Sequence, residues 1–426
     1  MITKMKTLRI ILALILTTTI FACEDKNIFP DPMSLPVKAL ELNVEIMDIF
    51  SLPDDRAAAF VKLDKQSTDT KDAYQLAIID KHGNYTLSDV MYVFSLDEEQ
   101  VADKHIYISS SGDIFVKFQV REIAASNIVK LNKDGHIIYS NDNEGIRRET
   151  DNIYSYNLYS MYDNGEIAVL RSNIYNFNDE ISVYYYLDII DNQGNFKNIV
   201  YSVTNECYWD NVLSCEDKFF LYNTIGGIRG DYFGYDDIFL IGPKLGYCIV
   251  ASDGSTVKSA KFGSNVYDVR YVDGYIYYTS LVIDAEVDDA TLYKYFITKM
   301  DASGEIVTTS DTIQTSYLLP NFTVHDGTLI VPGGVVEDED NDEGYGVIYL
   351  FDDNTGKLND SIALHYNNVD VMPSVIIPDS NGEYDVFALV RHDYDDWNDF
   401  KNDGNMEKGK LYIYHTDDLH KFNVNN

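Results

Sequence analysis

Carboxylates are the reactive groups in which this chain is richest. Its 69 Asp and Glu against 33 Lys and Arg give a formal charge of −36. Two runs concentrate them: Glu337-Asp338-Glu339-Asp340-Asn341-Asp342-Glu343 and Asp393-Tyr394-Asp395-Asp396-Trp397-Asn398-Asp399. Hard oxygens at this density suit calcium, which takes about six to eight of them. Asp338, Asp340, Asp342, Asp393 and Asp395 are therefore the candidate metal ligands, and Ca2+ is the one cofactor these runs suggest. The alternation of Asp338, Asp340 and Asp342 follows the start of an EF-hand loop. Its glycine comes a place late, at Gly344, and Tyr349 stands where the closing glutamate belongs. A solvated acidic loop is the competing reading, and no complete motif assigns a cofactor.

Aromatic residues are interleaved with these acids: Tyr175, Phe177, Tyr232, Phe233, Tyr235, Tyr394 and Trp397. Rings of this kind stack on sugar faces or on apolar side chains, while neighbouring acids and amides take hydroxyls or cations. They are the candidate ligand-binding residues, although with 34 tyrosines in the chain many must simply fill a core. Signatures of catalysis are missing: there is no HExxH, phosphate loop, CxxC pair or Gly-x-Ser-x-Gly elbow. His392 beside Asp393 is an acid–base pair in sequence only. Arg229-Gly230-Asp231 is a three-residue match to an integrin-binding tripeptide, a length at which chance suffices. A surface this acidic excludes nucleic acid as a partner.

The elements that must position these residues repeat along the chain. Six segments share a strand, a tight polar turn with glycine, and another strand, with turns at Asp80–Gly83, Asn132–Gly135, Asp191–Gly194, Ser252–Gly254, Asp301–Gly304 and Asp352–Gly356. A seventh, Leu411–Asp418, has the strand but lacks the glycine. A second hairpin signal falls between them, as at Ser111-Gly112-Asp113, Asp163-Asn164-Gly165, Asp273-Gly274, Asp326-Gly327 and Asn381-Gly382. No segment carries a sustained helical period. The expected fold is all-β, a β-propeller of seven four-stranded blades (strands A to D), because radial closure protects sheet edges. Six or eight blades, or two sandwiches, are the alternatives. Val37 to Leu42 is expected to add a strand that closes the ring.

Alternating strand direction puts the tight A–B and C–D turns on one face and the B–C and D–A connections on the other. Insertions at 65–72, 172–181, 223–246, 284–290, 333–346 and 392–408 are read as B–C loops gathered on that second face, a working surface. Beyond Cys23, the cysteines are Cys207, Cys215 and Cys248. The repeat places Cys207 and Cys215 around the first strand of one blade and Cys248 on its third, too far apart for a disulfide, so three unbridged thiols are expected.

The first residues hold Lys4, Lys6 and Arg9 and no acid, and an apolar run from Ile10 to Ala22 follows. This is the order of a secretory signal, and the run is too short to span a membrane. Ile20-Phe21-Ala22-Cys23 resembles the lipobox of bacterial lipoproteins, in which the cysteine is diacylated. Glu24-Asp25 resembles the acidic stretch of surface-exposed lipoproteins in Bacteroidota, and Asp311-Thr312-Ile313 and Asp360-Ser361-Ile362 resemble their O-glycosylation sequon. With the blade repeats, the chain as a whole resembles the propeller lipoproteins of that phylum. The resemblance implies a signal peptide at 1–22, lipidation at Cys23, a proline-bearing tether over 23–36 and a single propeller over 37–426. It implies an outer-membrane, cell-surface location with the lipid anchor in the membrane. The leading expectation is a binding module for a glycan, peptide or protein partner. A structural subunit of an outer-membrane complex and a propeller glycosidase or lyase are the alternatives.

Overall fold

A computed structural model describes residues 37–40, 45–63, 71–94, 103–120, 125–143, 147–150, 153–177, 180–205, 209, 211–223, 246–251, 255–282, 293–318, 322–338, 343–366, 369–379, 381–391 and 410–422. These form seven small antiparallel sheets in a ring, a seven-bladed β-propeller. In blade 1 the strands are 1A (Glu45–Leu52), 1B (Arg56–Leu63), 1C (Lys71–Ile79) and a split 1D (Tyr85–Leu87 and Met91–Phe94). Blades 2 and 3 follow, with 2A–2D at Asp103–Ile108, Ile114–Val120, Ala125–Leu131 and Ile137–Asn143, and 3A–3D at Ile153–Met161, Ile167–Phe177, Glu180–Ile190 and Phe196–Asn205. Blade 4 comprises Asn211–Cys215, Lys218–Tyr222, Gly246–Ala251 and Thr256–Lys261. In blade 5, Asn265–Val272, Tyr275–Val282 and Tyr293–Asp301 precede a split fourth strand, Ile306–Thr309 and Ile313–Thr315. Blade 6 has Thr323–His325, Thr328–Asp338, Glu343–Asp352 and Leu358–Tyr366.

Blade 7 is completed from the other end of the sequence. Its strands 7A (Val369–Pro378), 7B (Tyr384–Arg391) and 7C (Lys410–Thr416) are consecutive, and its fourth is Val37–Leu40, paired antiparallel to 7C with Val37 opposite Tyr414 and Leu40 opposite Leu411. This accounts for the seventh repeat's missing glycine. After 7C the chain does not turn back to make its own outer strand; it enters a short 3-10 helix, Leu419–Phe422, whose Leu419 and Phe422 are buried.

The turns follow from residue chemistry. Asp273 and Gly274 both have positive φ, giving a two-residue hairpin whose twist matches the flanking strands, and Asp54 and Asp55, also at positive φ, belong to the three-residue turn Pro53–Asp55. In the wider turns an Asp or Asn side chain substitutes for a backbone acceptor. Asp80 Oδ1 accepts from His82 N at 2.9 Å and Asn84 N at 2.8 Å. Asn132, Asp191, Asp301 and Asp379 repeat the pattern. Part of the acid load is therefore turn structure.

The core lies between blades, since each sheet buries both faces against its neighbours. Blades 1 and 2 share Phe50, Phe60, Ile78, Ile114, Val116 and Phe118, and Ile49, Ala57 and Ile79 meet Met372, Phe387 and Ile413 across the 7–1 seam. Comparable clusters join blades 2–3, 4–5, 5–6 and 6–7. The 3–4 seam has Tyr162 against Phe219 and a hydrogen bond from Ser214 N to Ser160 Oγ. Each large side chain fully buried here stabilises by about 1.5–3 kcal/mol. Two lysines are buried at seams and satisfied. Lys130 Nζ donates to Gly165 O and Asn192 Oδ1 and pairs with Asp113, and Lys299 pairs with Asp353, which also accepts from Tyr277 Oη at 2.8 Å.

A Ser-Asp pair latches blade 1 to blade 2, and another joins 5 to 6. Ser88 Oγ accepts from Leu76 N, Asp89 N donates to Gly135 O and Asp89 Oδ2 accepts from Ile137 N. Ser310 and Asp311 make the same bonds to Ile297, Gly356 and Leu358. Cys215 and Cys248 are buried and unbridged, and burial pushes the Cys215 thiol up to about 12, so it behaves as a small inert hydrophobe. Cys207 lies outside the described residues.

Two expected loops are strands. The ladder of 3B and 3C continues to Phe177 opposite Glu180, and that of 6B and 6C to Asp338 opposite Glu343. The segments 172–181 and 333–346 are thus mainly hairpin extensions, because β-branched and aromatic residues such as Ile174, Tyr175, Val183, Tyr184, Val335 and Tyr345 continue the strand pattern.

Candidate functional site

The face opposite the tight turns is framed by the upper ends of the B and C strands and by the D-to-A corners. Of the aromatic candidates, Tyr175 stands on the blade 3 hairpin, half-buried, with its ring edge-on to Tyr184 at 5.2 Å. Phe177 ends the same strand. Tyr232, Phe233, Tyr235, Tyr394 and Trp397 lie outside the described residues. Among the metal candidates, Asp338 ends strand 6B, and Asp340, Asp342, Asp393 and Asp395 lie outside the described residues, as does His392. Among the described residues no group of three His, Cys, Asp or Glu side chains is placed to hold a metal ion. Lower on the same hairpin, Arg171 pairs with the buried Asp188 at 2.6 Å and lies 5.9 Å from the Tyr186 ring centroid.

The structure adds a groove that the sequence reading missed. It is an open cavity of about 460 Å³ at the junction of blades 4 and 5, lined by Phe262, Gly263, Ser264, Asn265, Leu281, Val282 and Phe296. Three parts of the chain build it. Residues 262–265 form the corner from the last strand of blade 4 to the first of blade 5. Leu281 and Val282 end the second strand of blade 5, and Phe296 belongs to the third, adjacent in register to Ser280.

The floor of the groove is fixed. Phe262 packs at 5.1 Å from Tyr247 and 5.0 Å from Tyr278, and Tyr247 in turn stacks on Phe220 at 5.2 Å. Ser264 Oγ donates to the buried Ser280 Oγ at 2.7 Å, which commits its proton and leaves the oxygen with acceptor capacity. Asn265 brings an amide that both donates and accepts. Among the described residues no lining side chain ionises, and those present can stack and hydrogen-bond a ligand. Tyr293, at the start of the third strand of blade 5, is exposed on the same face. The available signal was the Phe-Gly-Ser-Asn corner between two strands, a turn pattern with an aromatic before it.

Titratable clusters sit on the opposite face. His415 in 7C meets Asp385 Oδ1 at 2.8 Å and Glu383 Oε2 at 2.9 Å. The hydrogen bond that His415 donates to Asp385 holds its imidazole above the ordinary range, and desolvation raises Asp385, which is buried. His420, on the terminal 3-10 helix, bridges Asp418 at 2.8 Å and Asp360 at 3.0 Å and is raised by the same kind of bond.

No family model matches the chain, and no curated protein sequence does. Among solved structures it is similar to the β-propeller domain of the trilobed protease from Pyrococcus furiosus, at 12% identity and a TM-score of 0.43, covering 87% of this chain and 95% of that one. It is also similar to BamB from Moraxella catarrhalis, at 8% identity and TM-score 0.38 over 89% and 98% of the two chains. A third is a protein of unknown function from Bacteroides caccae, at 11% identity and TM-score 0.37 over 71% and 93%. Likeness at this level transfers no activity; what stands is the seven-bladed ring itself, read from its own strands.

Proposed function

We propose that this chain is a cell-surface lipoprotein, held in the outer membrane through Cys23, whose propeller presents its loop face to a glycan, peptide or protein partner. The observation that carries the reading is the register of the closing strand. Strand 7C runs from the loop face to the turn face, and Val37 pairs with Tyr414 near its lower end. The chain that precedes Val37 therefore joins the ring at the turn face. An anchor in that segment holds the molecule by the side opposite the groove, Tyr175 and Tyr293, and leaves their face free to meet a partner.

The test uses the full chain and a Cys23→Ala variant. The parent is expected in the detergent phase of a Triton X-114 extraction and the variant in the aqueous phase. The soluble variant is then probed on immobilised glycans and peptides. A parent that stays aqueous would remove the anchor, and a variant that captures nothing would remove the binding role.

A second reading, a subunit of an outer-membrane complex, is favoured by one observation. Outer strands carry exposed apolar residues at recurring positions: Tyr85, Leu87, Ile137, Ile138, Phe196, Ile306 and Val307, with Phe196 and Ile306 each 60% exposed. A rim of this kind suits a protein neighbour more than a soluble ligand. Photo-crosslinking from position 196 in intact membranes separates the two: a discrete heteromeric adduct supports the subunit reading, and its absence counts against it.

A further inference from the structure

The groove between blades 4 and 5 carries a narrower conclusion, one that rests on the reading of the loop face as a binding surface. We infer that it is a subsite for one neutral sugar ring of an oligosaccharide.

Charge is the first constraint. The chain carries −36, yet none of the seven residues that line the groove is ionisable. A cationic ligand would be drawn to the carboxylates elsewhere, and an anionic one would be repelled by them, since Lys294, in register with Val282, and Lys261 stand beside the described lining and not in it. The described lining thus offers an ionised ligand no charge partner and fits a neutral one.

Surface chemistry is the second. Phe262, Phe296, Leu281 and Val282 make apolar walls, and Ser264 and Asn265 stand together on one side as hydrogen-bonding edge. A wholly apolar ligand would strip water from Ser264 and Asn265 without replacing its bonds, at about 1–3 kcal/mol for each group. A wholly polar one would gain nothing from the aromatic walls. A pyranose has both halves: a C–H face that stacks on aromatic and aliphatic carbon, and a rim of hydroxyls that meet an acceptor such as Ser264 Oγ and an amide such as Asn265.

Size and rigidity agree. The volume of about 460 Å³ falls within the range of small-molecule sites and admits one or two sugar rings. The hydrogen bond from Ser264 to Ser280 and the packing of Phe262 between Tyr247 and Tyr278 hold the polar edge and the floor in place before any ligand arrives, which lowers the ordering cost of binding. At Gly263 a β-carbon would meet no atom within 4 Å, so a ring can approach the backbone there.

That same vacancy supplies the test. Gly263 is not in a left-handed conformation, so Gly263→Leu is compatible with the fold while its side chain fills the groove. The Cys23→Ala chain is titrated by calorimetry with neutral gluco-, manno-, galacto- and xylo-oligosaccharides and with uronic-acid and sulfated oligosaccharides. At least one neutral series is expected to bind. Gly263→Leu and Asn265→Ala should weaken it by roughly tenfold or more with Tm unchanged, and Lys133→Ala on the turn face should leave it as it was. The inference is overturned if only charged oligosaccharides bind, if no neutral series binds, or if Gly263→Leu binds like its parent. A peptide or protein partner captured equally by the parent and by Gly263→Leu would overturn the subsite and leave the loop-face reading standing. Failure to capture any probe would remove both.

Discussion

At the scale of single residues, the seams between blades depend on glycines that no other residue can replace. Gly356 has a φ of 71°, and a β-carbon there would lie 2.3 Å from Thr309 O and 2.8 Å from Ser310 Cα in the preceding blade. Gly274 has a φ of 84° but faces open space. Alanine at Gly274 should cost about 1 kcal/mol for its backbone conformation alone. Alanine at Gly356 adds a backbone clash at a seam and should cost about 3 kcal/mol or more. Urea denaturation of the two variants checks this, and equal losses would show that the Ser310–Asp311 latch is slack. Asp311 belongs to that latch through Leu358 N at 2.9 Å, so a sugar on the neighbouring Thr312, which is exposed, would sit beside a closed seam.

At the scale of elements, four residues make the ring continuous. Removing residues 1–40 deletes the outer strand of blade 7 and exposes the edge of 7C, with Tyr412 and Tyr414 beside it. Such a chain should unfold at a lower temperature and less cooperatively, as circular dichroism would show; an unchanged transition would mean that the closing strand is dispensable. Much of this level can be read from sequence. Asp-Gly and Asn-Gly turns at blade spacing specify hairpins, and the glycine missing after Thr416 marks the place where the chain does not turn back. Long strands are harder to read, because the acids of Glu337-Asp338 look like loop while their register with Glu343 makes them strand. The groove is harder still. Val282 and Phe296 are ordinary strand residues, and Phe262 an ordinary corner residue, until the ring brings three separate stretches together, and no local pattern encodes that meeting. The aromatics that the sequence singles out stand in its insertions, yet Tyr175 and Phe177 fall on a paired strand.

At the scale of the whole molecule, stability should peak in weak acid. Hydrogen bonds from the turn backbone and from turn side chains hold Asp80, Asp301, Asp352 and Asp379 below the usual carboxylate range. Their contribution is complete above the unfolded carboxylate value of about 4 and is lost as pH falls through the lower folded values. His415 and His420 run the other way: raised by Asp385 and Asp418, they stabilise fully below about pH 6.5 and lose this as pH rises through their folded values. Desolvated Asp385 favours its protonated form in the fold and so also loses stability as pH rises. The optimum is expected between about pH 4 and 6.5. Tm measured from pH 3 to 9 should trace this dome, and His415→Gln should flatten its alkaline side; a profile still rising at pH 8 would contradict the assignment.

The closing strand also decides how the ring responds to pulling. If a partner is gripped on the loop face while the anchor holds residues before Val37, tension runs along the strand axes. The hydrogen bonds between Val37–Leu40 and 7C lie across that direction, so they are strained together in shear, not opened one after another like a zipper. The junction that completes the circle is thus also the one that flow or a moving ligand would test first.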